Sequence, residues 1–418
     1  MPFYLKLLEQ KLLKGTLIVS RPNGEQRQFG DGKGPSAHWR IIDESAINRV
    51  ARDPEFQMGE TYMDEAWELV DCSLYDLLCV LRINFNEAAP SRWIQPLLRI
   101  TQQFNRIANS YRNVAHHYDL DEAFFRLFLD DEMHYSCAYY SNRHYDIHQA
   151  QQAKCDHIAK KLLLKPGMQV LDIGCGWGSL AIYLAERHGV RVTGITVSKA
   201  QLAVAQRRAQ ERKLDKLVDF RLSDYREHQG EYDRIVSVGM FEHVGTPFYD
   251  TYYQRVAELL REDGVAMIHT IGRTTPPGLT NAWISKYIFP GGSIPAFSEI
   301  SASIEKADIT MTDNEVWRIH YADTLRDWNR RFQIHRESVR ADKDERFCRM
   351  WEFYLACCEM SFRYADLVVF QTQLAHKHGV VPITRDYLHP NPLLETTPRP
   401  QTQVMEPQSE KKKESIAS

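Results

Sequence analysis

Gln169-Val170-Leu171-Asp172-Ile173-Gly174-Cys175-Gly176-Trp177-Gly178 is an apolar run that ends in three alternating glycines and leads into the helical pattern Ser179 to Arg187. The order is strand, tight turn, helix. Glycine at such a turn lets the backbone approach a ligand with no Cβ in the way, and the helix that follows offers its first N–H groups to that ligand. The stretch reads as a cradle for a nucleotide-sized cofactor.

A dinucleotide fold would place a third glycine three residues after the second, and an acid at the end of the next strand to hold a ribose diol. Here the first of those positions is Ser179, and the strand Arg191 to Val197 ends around Thr196, with Ser198 and Gln201 just beyond. With Asp172 set before the first glycine, the pattern favours S-adenosylmethionine over a nicotinamide dinucleotide.

At 418 residues and 43% hydrophobic content the chain is long enough for two or three domains with full cores. A formal net charge of −3 argues against a general nucleic-acid binder. The 8 cysteines are scattered singly, apart from adjacent Cys357 and Cys358, with no Cys-x-x-Cys pair. That suits a reducing cytosol and offers no zinc framework. No stretch approaches the roughly 20 apolar residues of a membrane span, and the start has no unbroken apolar signal core. A soluble, unexported protein with no metal site is expected.

The start sets Phe3, Leu5, Leu8 and Leu12 among Lys6, Lys11 and Lys14, which suits either docking on a bilayer surface or packing on its own domain. A strand at 16–19, a turn at 21–24 and helices at 43–52 and 73–81 make a small α+β module. Residues 88–118 contain no acid but carry Arg92, Arg99, Arg106 and Arg112 on a helical pattern with apolar positions between them. A basic amphipathic helix of this kind fits an anionic lipid surface, or equally a solvated face between domains. Tyr118 to Tyr140 is aromatic-rich without strand alternation and reads as the cap of a pocket. His116 and His117 beside it are not read as metal ligands.

From 150 to 272 strand and helix patterns alternate as in a doubly wound sheet, with strands at 168–173, 191–197, 217–222, 232–238 and 264–270. Ligands in such sheets lie beyond the carboxyl ends of the strands. Asp224, after the third strand, is placed to accept a hydrogen bond from an adenine amino group. Glu242 follows the fourth strand, and His269, at the neighbouring strand end, faces the same crevice.

His134-Tyr135-Ser136-Cys137, Leu171 to Gly178, Thr193-Gly-Ile-Thr196, Val238-Gly-Met-Phe-Glu-His-Val-Gly245, His269-Thr-Ile-Gly272 and Lys286-Tyr-Ile-Phe-Pro-Gly-Gly292 together resemble the cyclopropane-fatty-acyl-phospholipid synthases over roughly residues 90 to 390. The first 85 residues resemble the amino-terminal module of the bacterial enzymes more loosely. The resemblance implies transfer of a methylene unit from S-adenosylmethionine to the cis double bond of an acyl chain in a membrane phospholipid, with bound bicarbonate as the base. By motif, the bicarbonate would be held by the main chain of Cys137 and Ile271 and the side chains of Glu242, His269 and Tyr321. The cofactor would lie against Tyr135, Ser136, Asp172, Gly174, Gly176, Gly178, Thr196, Ser198, Gln201 and Asp224. Cys358 matches a cysteine proposed as catalytic in the family; on a helical pattern at 345–364, and with no step needing a thiolate, it reads as structural.

The expected fold is therefore α/β, a doubly wound, seven-stranded, mostly parallel sheet of the class I S-adenosylmethionine-dependent methyltransferase type, with a helical lid and a small α+β amino-terminal domain. The sheet would close with strands at 309–318 and 366–372, and helices at 323–340 and 345–364. The loops at 274–278 and 289–295 would form a lid or chain entrance. Residues 1–90 would be a lipid-associated module, 91–150 a helical linker and lid, 151–388 the catalytic domain and 389–418 a disordered tail. The expected setting is cytoplasmic, peripheral to the inner face of the membrane, with membrane phospholipids as partners and a homodimer left open. Methyl- or methylene-branching, or methylation of a small molecule, is the alternative outcome.

Overall fold

The computed structural model describes residues 2–85 and 122–389. The basic segment 88–118 and the tail from 390 onward lie outside the described residues.

The amino-terminal region holds α1 (Phe3–Lys11), β1 (Thr16–Ser20), β2 (Gln26–Phe29), β3 (Ser36–Ile41), α2 (Glu44–Arg52), α3 (Pro54–Met63), β4 (Trp67–Leu69) and α4 (Leu74–Asn84). Its four strands pair in the order β2-β1-β3-β4. Alternation along β1 buries Leu17 and Val19. Side chains cap the helix starts: Asp43 accepts the Ser45 N–H, and Ser73 and Asp76 form a reciprocal box at α4. Of the apolar residues in α1, Tyr4, Leu5 and Leu8 are buried, as is Leu12 beyond its end, so the helix packs on its own module and exposes Phe3 and Leu13 at its two ends.

The second region runs α5 (Glu122–Phe128), α6 (Ile147–Lys161), β5 (Gln169–Ile173), α7 (Ser179–His188), β6 (Arg191–Thr196), α8 (Lys199–Glu211), β7 (Val218–Leu222), β8 (Tyr232–Val238), α9 (Tyr249–Leu259), β9 (Leu260–Arg273), α10 (Ala282–Tyr287), α11 (Phe297–Lys306), β10 (Thr310–Trp317), α12 (His320–Asp342), α13 (Glu345–Tyr364) and β11 (Leu367–Ala375). The seven strands lie in the order β10-β11-β9-β8-β5-β6-β7. β5 pairs in parallel with both β6 and β8, and β9 in parallel with β8, while β11 runs antiparallel to β9 and to β10. The doubly wound, mostly parallel sheet is as expected. Its direction of winding reverses between β5 and β8, which opens a crevice at their carboxyl ends.

β9 is longer than the strand at 264–270 foreseen from the sequence. It begins at Leu260 because that residue pairs with Tyr232 across an irregularity in the β8 ladder, and it continues to Arg273 because β11 pairs along it as far as Leu367. β2, β3, β4 and α3 were not anticipated. In β2 the residues Gln26-Arg-Gln-Phe29 carry almost no apolar signal, since the strand lies on the sheet edge and is mostly exposed.

Apolar side chains line both faces of the large sheet, and a further buried cluster runs without a break from the amino-terminal module through α12 and α13 to Tyr135. The module is fixed to α13 by Tyr62, whose hydroxyl donates to Glu352 Oε2 at 3.0 Å, and to α10 by Gly59, where a Cβ would clash with the Trp283 ring. Among the described residues no helix is long and apolar enough to cross a membrane.

Candidate active site

The turn after β5 is built as its glycines suggest. Gly174, Gly176 and Gly178 have φ of +84°, +54° and +82°, a region costly to residues with a Cβ. The Gly174 and Cys175 N–H groups both donate to Ile195 O on β6, at 2.9 and 3.0 Å, which ties the turn to the neighbouring strand. A Cβ on Gly174 would lie 2.6 Å from Met240, and one on Gly178 would lie 2.6 Å from Phe220. Gly176 has nothing within 4 Å of its Cβ position and lines the crevice.

This crevice spans about 1150 Å³ of space, part of it open to solvent. Tyr135, Ser136, Asp172, Gly174, Gly176, Thr196, Gln201 and Asp224 all line it, although they come from three strand ends, the first turn of α8 and the loop before α6. Gly178 and Ser198 do not line it. Gly178 packs against Phe220 and Ala205 at the start of α7, and Ser198 caps α8 by accepting the Gln201 N–H at 3.2 Å.

Electrostatics divide the crevice. Asp172 is buried with no partner for Oδ2 among the described residues, and burial raises its carboxyl to about 7. Asp224 is held by Arg226, which donates from Nε to Oδ1 at 2.8 Å and from Nη2 to Oδ2 at 2.7 Å. Thr196 Oγ1 donates to Gln201 Oε1 at 3.0 Å and accepts the Ser198 N–H at 3.1 Å. An orphaned buried carboxylate oxygen, a bare glycine and hydroxyl and amide groups at the strand ends fit a nucleoside joined to a charged amino-acid tail.

A second group of residues gathers around the end of β9, and neither Glu242 nor His269, which the sequence placed at the same crevice, lines it. Glu242, in a short turn after β8, accepts the Ile271 N–H on Oε1 at 2.6 Å, while its Oε2 is buried without a partner among the described residues. Burial raises this carboxyl to about 7. The family pattern assigned the Ile271 main chain to an ion; here that N–H holds Glu242. His269, two residues earlier on the same strand, is buried with Nδ1 3.0 Å from Gln371 Nε2, and its ring meets Trp317 edge-on at 5.3 Å. Burial, helped by Lys154 and Lys161, drives its pKa well below the ordinary value, so the ring is neutral.

Tyr321 packs on Phe362 at 4.8 Å and stands edge-on to Trp328 at 6.0 Å. Burial, and then Tyr135, Cys137 and Glu242, keep its phenol protonated. Cys137 is fully buried, donates to Ala138 O at 3.3 Å, and is a neutral thiol because burial raises its pKa. Cys358, half-buried on α13, is raised far above the thiol range by burial and by Cys357. Above these groups Tyr135 stacks on Trp328 at 5.1 Å and its hydroxyl lies 2.9 Å from that of Tyr354. The result is a set of buried polar groups beside an aromatic cluster.

Lys154, Arg226, Tyr354 and Gln371 were not singled out from the sequence. Lys154 and Tyr354 sit in ordinary helical patterns, and Gln371 is one polar residue in an apolar strand. Their roles depend on which helix or strand covers them.

The family model for mycolic acid cyclopropane synthetase matches residues 105–372. The chain is 39% identical over 347 residues to the cyclopropane-fatty-acyl-phospholipid synthase of Escherichia coli (strain K12), covering 82% of this chain and 88% of that one. It is 34% identical over 387 residues to the tuberculostearic acid methyltransferase UfaA1 of Mycobacterium tuberculosis, covering 88% and 90%. Among solved structures, that of mycolic acid cyclopropane synthase CmaA1 complexed with SAH and CTAB superposes with a TM-score of 0.60 at 34% identity, over 63% of this chain and 97% of that one.

Proposed function

The chain belongs to the mycolic acid cyclopropane synthetase family and is an S-adenosylmethionine-dependent methyltransferase; from that premise we propose that it adds a methylene group to the cis double bond of an unsaturated acyl chain in a membrane phospholipid, closing a cyclopropane ring. An isolated alkene is a weak nucleophile. Its π electrons form the bond to the sulfonium methyl carbon while the carbon–sulfur pair leaves with sulfur, and the acyl chain takes up the positive charge. A proton then departs from the former methyl group, and the freed C–H pair closes the ring.

Each requirement has a matching group. Tyr135, Tyr321 and Trp328, which pack on one another, would shield a cation and interact with it through their π systems. Asp172, Thr196, Gln201 and Asp224 would hold the co-substrate from the strand ends. Bicarbonate, when bound, would supply the proton acceptor. Glu242, His269 and Tyr321 would hold it beside the wall formed by Cys137 and Ile271. A carboxyl near 7, a neutral imidazole and a protonated phenol can each donate a hydrogen bond to an anion instead of repelling it.

The observation that carries the reading is Glu242 Oε2, a buried carboxyl oxygen without a partner among the described residues, beside the Ile271 amide that holds its other oxygen. A buried polar atom left unpaired is costly, and a ligand that pairs it relieves that cost.

The same reading takes residues 1–90 as the membrane-associated module, 91–150 as linker and lid, 151–388 as the catalytic domain, and the inner face of the membrane as the working position. A second outcome, methylation of the acyl chain without ring closure, has the support of the relative named as a tuberculostearic acid methyltransferase.

The test is mass spectrometry of the product from methyl-labelled S-adenosylmethionine and vesicles of cis-monounsaturated phospholipid, with and without bicarbonate. Gain of one CH2 with loss of the double bond, dependent on bicarbonate, is expected. A saturated methyl branch or an olefin would move the conclusion to the second outcome. No gain would remove the lipid substrate.

A further inference from the structure

Lys154 is the least explained charged group in the crevice. Its side chain is 1% exposed, yet it lines the cavity beside Ser136 and Asp172. Its Nζ donates to Ser136 Oγ at 2.9 Å. Among the described residues no carboxylate oxygen lies within 4.0 Å of that Nζ. Burial pulls its pKa below the ordinary lysine value while Asp130 and Asp172 work to raise it; an ammonium there has three protons to place, and the Ser136 hydroxyl takes only one.

The surroundings hold this arrangement rigidly. On α6, one turn before Lys154, Gln151 Nε2 donates to Ser136 O at 2.9 Å. One residue after it, Cys155 Sγ lies 3.2 Å from His134 Nε2, and His134 Nδ1 lies 2.8 Å from Asp130 Oδ2. With Lys154 on Ser136, the Gln151 and Cys155 contacts make three ties of residues 134–136 to α6. Lys154 fills one lone pair of Ser136 Oγ, and the hydroxyl keeps one proton that a second partner can accept.

We propose that Lys154 is the anchor for the carboxylate of the co-substrate's amino-acid tail, acting by its charge and through the hydroxyl of Ser136, which it turns into a donor. The inference rests on the S-adenosylmethionine reading of the crevice and adds to it the residue that recognises one end of the ligand. Asp172, with its unpartnered Oδ2, is the complementary group for the ammonium of the same tail. A cation and a carboxylate on one wall would thus read a zwitterion and fix which way the sulfonium faces.

Two ligands separate recognition of the tail from general damage: S-adenosylhomocysteine, which carries the amino acid, and 5′-methylthioadenosine, which lacks it. Calorimetric titration of the full chain should show Lys154→Met weakening S-adenosylhomocysteine about tenfold or more while 5′-methylthioadenosine stays within about threefold. Ser136→Ala should show the same selectivity to a smaller degree, and it keeps the question open to test if Lys154→Met does not fold. Equal weakening of both ligands by a folded variant would make Lys154 a structural tether and overturn the proposal. So would unchanged binding of both. Failure of the wild type to bind either ligand would overturn the co-substrate reading itself.

Discussion

Glu242 Oε1 and the Ile271 N–H meet at 2.6 Å across the ends of two adjacent parallel strands. The contact presents the other oxygen, Oε2, as a buried group with no partner among the described residues. Glu242→Ala should lower turnover about a hundredfold or more while S-adenosylhomocysteine affinity stays within about threefold. Titration and product assay on one preparation check this; loss of both together would make the residue structural.

The proton on that carboxyl should show in stability. Burial raises Glu242 to about 7 from an ordinary 4.5. Between those values the folded state keeps a proton that the unfolded chain releases, so the contribution of this group falls as pH rises through the window and is level above it. Asp172, raised to about 7 from 3.8, acts in the same direction. In urea unfolding across this range, wild type should lose stability relative to Glu242→Gln as pH rises; parallel curves would mean an ionised carboxylate throughout.

Gly174→Ala places a Cβ at φ +84°, 2.6 Å from Met240. A loss of about 2 kcal/mol is expected, with weaker cofactor binding. Adding Met240→Ala should restore part of the stability, since it removes the clash and leaves the backbone strain. Thermal melts of the single and double variants provide the comparison, and no recovery would show that strain alone accounts for the loss.

Asp224 is oriented by Arg226 and lines the crevice. If it reads an adenine amino group, wild type should prefer S-adenosylhomocysteine to S-inosylhomocysteine by about tenfold, and Asp224→Ala should bind the two alike. Persistence of the preference in the variant would assign adenine to another residue.

Cys358 should be dispensable. Its thiol is raised far above the ordinary range by burial, so it offers no thiolate near neutral pH. Cys358→Ser should keep turnover within about threefold, and a hundredfold loss in a folded variant would reinstate the cysteine in the chemistry.

Much of the fold was legible because its signals are local. Alternating strands and helices, glycines at positive φ and polar residues just after strands each follow from the backbone geometry of a few neighbouring positions. Edge strand β2 was not legible, since an exposed strand needs no apolar alternation. The full length of β9 was not legible either, since β11 extends it by pairing from more than ninety residues away.

The candidate site divides along the same line. The sequence by itself determined the Gly174 to Gly178 cradle and the order in which Thr196, Asp224 and Glu242 follow their strands and His269 sits on the next one. Only the tertiary structure decided that Lys154 turns inward from α6 toward Ser136, that Ile271 spends its N–H on Glu242, and that Ser198 serves a helix start instead of the crevice. Burial, and with it the protonation of Glu242, Asp172 and His269, depends on which distant element covers a residue, and a chain order carries no local mark of that.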